Sequence, residues 1–191
     1  LEGTHHPVKL FCLTRYYPHK NLEAIVDMFV RFRQELRDVL VILTISANDH
    51  PNARGLLRAI DKHQLTSSVL NVGPLKQQEL YSYYRHCQAL FLPTLLESFS
   101  GTYLEAMQFG SPILTSNLDF ARQICGDAAL YFDPWNAISM KDAILDFQNR
   151  PEIAARMVEK GAQRILGTYQ TWDSVALETC KEMEIIAAIR Q

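Results

Sequence analysis

Nowhere in these 191 residues does a G-x-G-x-x-G or a G-x-x-x-x-G-K-[ST] stretch occur. The first would line the turn that receives a dinucleotide's pyrophosphate, and the second would wrap backbone amides and a lysine around a triphosphate. An ordinary dinucleotide dehydrogenase and a P-loop ATPase are therefore disfavoured. An excess of one charge is also lacking: 19 Lys and Arg stand against 21 Asp and Glu, a formal net charge of −2. Nucleic-acid binders usually carry a basic excess or stripe, so no nucleic-acid partner is expected. No uninterrupted apolar run is long enough to cross a bilayer. Leu1 to Pro7 lacks the basic and apolar regions of a signal peptide. The four cysteines, Cys12, Cys87, Cys125 and Cys180, form no C-x-x-C pair. Cys12 and Cys87 sit in or beside apolar segments, which favours reduced core thiols and a reducing, cytoplasmic compartment. The six histidines show no metal-ligand spacing on a shared helix face, so no metal site is expected.

What is present is an ordinary globular composition, 48% hydrophobic and 21% charged, in a length that suits one core. Short apolar runs alternate with longer amphipathic ones. Val8–Leu13, Val39–Ile45, Val69–Val72, Ala89–Leu92, Pro112–Thr115 and Ala128–Phe132 read as strands. Between them, Asn21–Leu36, Ala53–Gln64, Gln77–Cys87 and Tyr103–Phe109 read as helices, with a short helical turn before the last strand. Beyond Asp133-Pro134 the pattern is wholly helical, about Ile138–Phe147, Glu152–Leu166 and Trp172–Ala188, with Asn136 as a candidate N-cap. The alternation implies an α/β, Rossmann-like parallel sheet of about six strands, covered on both faces and followed by a helical tail. Residues 1–7 read as a flexible start, and residues 8–191 as a single domain.

In such a sheet, ligands bind beyond the carboxyl ends of the strands, so the loops there carry the candidates. After the first strand come Arg15 and Lys20, either able to reach a diphosphate, one as a planar fork and one as a point charge. After the third, Gly73-Pro74 forces a turn, and a planar base could lie against Leu75. The fourth loop is the most informative. Glu97-Ser98-Phe99-Ser100-Gly101-Thr102 leads from a strand into a helix that carries Glu105. A helix N-terminus opened by glycine offers backbone amides to a phosphate. A carboxylate on either side can accept hydrogen bonds from sugar hydroxyls. Eight positions along one continuous helix would rotate the two glutamates about 80° apart, so Glu97 must lie in the loop before the helix. Read alone, each loop also has a plain structural explanation: solvated cations, a strand-to-helix turn, surface glutamates. Asn117 or Asp119 could cap the next helix. Trp172 and its helix suit packing on this domain or on another.

Together these elements resemble the C-terminal domain of retaining GT-B glycosyltransferases, the large group 1 family, over nearly the whole chain from Val8. The most specific piece is Glu97 to Glu105, a Glu-x7-Glu motif followed by Ala106-Met107 and Gly110-Ser111-Pro112. Gly126 to Pro134 and Thr171-Trp172-Asp173 extend the likeness. The resemblance implies that Arg15 and Lys20 bind the donor's diphosphate and that Glu105 accepts from the ribose hydroxyls. It likewise implies that Glu97 contacts the transferred sugar, that Ser98, Phe99, Ser100, Gly101 and Thr102 hold the distal phosphate and sugar, and that Leu75 faces the base. Thr14, Ser100 and Gln123 depart from the family's usual glycine, glycine and glutamate.

The resemblance further implies transfer of a hexose from a UDP- or GDP-sugar to an acceptor hydroxyl with retained configuration. No cofactor or obligatory metal is expected, and no nucleophile is assigned. The partner would be an N-terminal acceptor-binding domain of the same protein, which has no counterpart in this sequence. The chain alone is expected to be inactive, and a parent lying at a membrane surface is compatible with it. The alternatives are a GT-B-type UDP-sugar epimerase and a non-catalytic GT-B-like interaction module.

Overall fold

The computed structural model describes residues 8–189; the flexible start expected over 1–7 lies outside them. Six parallel strands form one sheet in the order β3-β2-β1-β4-β5-β6. They are β1 (Val8–Cys12), β2 (Val39–Leu43), β3 (Val69–Asn71), β4 (Ala89–Leu92), β5 (Ile113–Ser116) and β6 (Ala129–Phe132). Every residue of β2, β4 and β5 is buried, as expected of strands covered on both faces. Val8 pairs with Val39 and Leu10 with Ala89, which fixes β1 at the centre.

The helices are α1 (Glu23–Arg31), α2 (Ala53–Lys62), α3 (Gln77–His86), α4 (Gly101–Gln108), α5 (Asp119–Cys125), α6 (Ala137–Asn149), α7 (Pro151–Thr168) and α8 (Trp172–Ile189). The helix read over Asn21–Leu36 is shorter than its periodicity suggests. After Arg31 the chain leaves helical geometry at Phe32 (φ −124°, ψ 32°). A turn in which the Leu36 amide bonds to the Phe32 carbonyl then drops Leu36 into the core, and β2 starts in register with β1. The turn expected before β6 is a full helix, α5, followed by a 3-10 turn at Gly126–Ala128. Asn136 caps α6 as expected, accepting from the amides of Ile138 and Ser139 at 3.0 and 3.4 Å. Neither Asn117 nor Asp119 is the N-cap of α5; Leu118 stands there, and the Asn117 side chain binds Arg122 instead.

After β6 the chain doubles back, α6 onto α1 and α7 onto α4. The α4–α7 contact is close because Gly161 has no side chain: a Cβ there would stand 3.1 Å from Met107 Cγ. The final helix differs in kind. No residue of α8 is buried, and Trp172 is 87% exposed at its start. No helix among the described residues is long and apolar enough to cross a membrane.

Three of the four thiols lie in the core, Cys12, Cys87 and Cys125, while Cys180 on α8 is exposed. Burial pushes each of the three up to about 12. At pH 8 they hold essentially no thiolate, the form that reacts. Iodoacetamide at that pH is expected to alkylate Cys180 alone in the native chain and all four cysteines in guanidinium, as mass spectrometry would read. The raised values also set a sign. Their stabilising contribution is complete below the ordinary thiol value near 9 and is lost as pH rises through about 12.

Candidate functional site

From β1 the chain winds outward through β2 to β3, then crosses back to β4 and winds the other way. The strand order therefore reverses between β1 and β4. In a doubly wound sheet that switch point opens a crevice beyond the strand ends, where ligands bind. The loops beside it are residues 13–22 and 93–100, which hold Arg15, Lys20, Glu97, Ser98, Phe99 and Ser100.

The crevice walls are tied together. Lys20 Nζ donates to Glu97 Oε1, and both side chains are largely withdrawn from water, with 17% and 13% exposed. The backbone below is cross-braced. The His19 carbonyl accepts from the Leu95 amide at 2.7 Å and from the Thr94 hydroxyl at 3.2 Å. Asn21 sits in left-handed geometry (φ 56°, ψ 36°), ending the 3-10 turn Pro18–Lys20. From there its amide nitrogen donates to the carbonyls of Pro93 at 3.2 Å and Pro134 at 2.9 Å. One side chain thus holds the β1 loop against both the β4 loop and the entry to α6. Tyr16 anchors the other end of the β1 loop. It is 1% exposed, its amide donates to Asp49 Oδ2 at 3.0 Å, and its hydroxyl donates to Glu23. Burial, then the hydrogen bond and charge of Glu23, raise its phenol well above the ordinary value, so it stays a donor.

Helix α4 starts at Gly101, two residues earlier than its apolar pattern suggests, and directly over the crevice. Ser100 is buried at the N-cap yet makes no side-chain cap; its carbonyl accepts from the Tyr103 amide at 3.3 Å, which leaves the Gly101 and Thr102 amides for another acceptor. Space is open beside Gly101. The helix is pinned from below: the Tyr103 hydroxyl meets Thr115 Oγ1 at 2.7 Å, and Thr115 donates to the Leu92 carbonyl at 2.9 Å. Burial raises the Tyr103 phenol far above its ordinary value, so it remains un-ionised.

The remaining candidates are placed as follows. Arg15 is exposed and its side chain has no ion-pair partner among the described residues. Glu105 lies one turn into α4, with the Tyr84 hydroxyl 3.5 Å from its carboxylate. It lines a cavity of about 550 Å³ with Gln77, Leu80, Leu104 and Trp172. Leu75 is half-buried in the turn after β3, where Gly73 takes φ +79°. Phe99 is exposed, with its ring edge-on to Tyr169. Among the described residues, no group of three or more His, Cys, Asp or Glu is placed to hold a metal ion. Sequence reasoning missed Asn21, Thr94 and the Tyr16–Asp49 tie. Only Asn21 carried a signal, as an asparagine able to take left-handed geometry after a proline-led turn.

Residues 4–164 match the family of glycosyl transferases, group 1. The chain belongs to that family. A curated relative is a probable sucrose-phosphate synthase of Vicia faba, 25% identical over 173 residues, covering 82% of this chain and 16% of that protein. Among solved structures, sucrose-phosphate synthase from Thermosynechococcus elongatus superposes with a TM-score of 0.80 at 20% identity, over 97% of this chain and 47% of that one. The C-terminal domain of a group 1 glycosyl transferase from Francisella tularensis superposes with a TM-score of 0.72 at 13% identity, over 89% of this chain and 94% of that domain. This group 1 chain thus spans about half the length of the sucrose-phosphate synthase structure, and its fold is half of a GT-B arrangement.

Proposed function

We propose that the chain is the donor-binding half of a glycosyltransferase that moves a hexose from a UDP- or GDP-sugar to an acceptor hydroxyl with retained configuration. The observation that carries this is the Lys20–Glu97 pair at the switch point, beside the uncapped N-terminus of α4. Lys20, Arg15 and the α4 amides supply positive charge for a diphosphate, both bound and as leaving group. Glu97 then lies on the sugar side of that phosphate, and Glu105 and Leu75 lie toward ribose and base. Charge on the leaving diphosphate is offset by these side chains and amides, without an obligatory metal. Its acceptor site would belong to a second domain, against which the exposed α8 packs.

Calorimetric titration of the chain with UDP and GDP is expected to give saturable binding, with Kd of about 1 mM or tighter. The Lys20→Ala variant should weaken it, and no glycoside should form from a UDP- or GDP-hexose without the rest of the protein. Absence of saturable binding for both nucleotides would refute the reading.

A further inference from the structure

A second concentration of positive charge lies at the far edge of the sheet, beside β6, two strands from β4. There Arg122, Asp127, Tyr131, Arg156 and Lys160 line a cavity of about 380 Å³. Arg122 is held in place from two sides. Its Nε donates to Asn117 Oδ1 at 2.7 Å, and its guanidinium lies 3.9 Å from the centroid of the Tyr131 ring. That ring is itself fixed, since its hydroxyl donates to the Gly126 carbonyl at 2.6 Å. Among the described residues the two terminal nitrogens of Arg122 have no hydrogen-bond partner and remain for a ligand.

Arg156 and Lys160 stand one turn apart on the facing helix α7. Like charges at that spacing weaken a helix, so the fold gains nothing from the pair itself. Among the described residues none of the three cations has a carboxylate within ion-pair distance, although Asp127 lines the same cavity. The carbonyls ending α5 would repel an anion. Arg164 offsets them by donating to the carbonyls of Gln123 and Ile124.

Two guanidinium forks and an ammonium around a small cavity suit a phosphate group. The volume is near the lower end of small-ligand sites, roughly 300–1,000 Å³, which favours a compact molecule. We propose that this edge cavity binds the phosphate of a small phosphomonoester, with Asp127 accepting from a hydroxyl of the ester. Inorganic phosphate shares the charge chemistry and lacks that hydroxyl.

The test is calorimetric titration of the 191-residue chain with glycerol 3-phosphate and, separately, with inorganic phosphate. Glycerol 3-phosphate is expected to bind with Kd of about 1 mM or tighter, and more tightly than phosphate. An Arg156→Ala/Lys160→Ala double variant changes two exposed side chains and should keep its thermal melt while losing affinity about tenfold or more. The titration is repeated in Lys20→Ala, which weakens the proposed diphosphate site; saturable binding that persists there and is lost in the double variant assigns it to the edge cavity, so failure of the donor reading leaves this result standing. Equal binding of both ligands would reassign the cavity to free phosphate and overturn the ester. Unaltered affinity in the double variant, or no saturable heat with either ligand, would overturn the site.

Discussion

On the proposed donor-binding role, replacement of Lys20 by alanine is expected to lower kcat/KM for glycosyl transfer by the full-length protein about 10²–10³-fold, the cost of removing one preorganised charge from a leaving group. Among the described residues, Lys20 is the crevice cation that the fold fixes. Its turn is bonded through His19 to Thr94 and Leu95, and its ammonium is aligned on Glu97. Arg15, exposed on the same loop, has no such restraint. The variant should also lose about 1–3 kcal/mol of stability, because Glu97 keeps its partly buried charge without its ammonium partner. Glu97→Gln separates the two roles. It leaves Lys20 a hydrogen-bond acceptor but removes the competing charge, so nucleotide affinity should hold or rise while transfer falls. Nucleotide titration of both variants beside steady-state transfer gives the comparison. If Lys20→Ala binds nucleotide as the parent does, Lys20 is structural and the assignment fails.

Asn21→Ala is expected to destabilise the chain by about 2–4 kcal/mol, combining left-handed geometry imposed on alanine with two lost hydrogen bonds. For a domain of this size that corresponds to a fall of about 4–16 °C in Tm. The φ of 56° and the two carbonyl partners are separate contributions, and Asn21→Gly divides them. Glycine accepts the geometry freely but cannot bridge Pro93 and Pro134, so it should recover only part of the loss. Full recovery in differential scanning calorimetry would mean that the bridge contributes nothing. The same variants should weaken nucleotide binding although Asn21 donates both its bonds to backbone carbonyls, since Lys20 is its neighbour in sequence and moves with the turn.

The strands were legible because their apolar runs are short, β-branched and bounded by turns, and all six fall where the pattern placed them within two residues. The helices were legible in place and less so in length. Leu36 continued the apolar spacing of α1 in sequence but reaches the core through a turn, a distinction that periodicity does not carry. At the site, Glu97 was placed in the loop ahead of α4 by the strand–loop–helix pattern and the rotation argument together, and it lies there. That Lys20 would meet it was not readable, because the contact depends on β1 and β4 becoming neighbours across a crossover. The ties made by Asn21 and Thr94 were hidden for the same reason: both bond to backbone carbonyls, which no side-chain pattern reveals. Packing of Trp172 and α8 on this domain was one of two readings, and the exposed helix does not follow it.

The sheet's winding has a consequence for how the crevice comes into being. Lys20 and Glu97 are 77 positions apart along the chain, and Asn21 and Pro134 are 113 apart. No hairpin or local helix pair can assemble these contacts ahead of the rest. Parallel pairings across such separations are slow to form, because chain entropy is lost before the contacts compensate for it. The crevice is therefore expected to form late in folding. Substitutions that delay the meeting of β1 and β4 should lower the yield of competent protein while leaving each molecule that does fold with normal affinity.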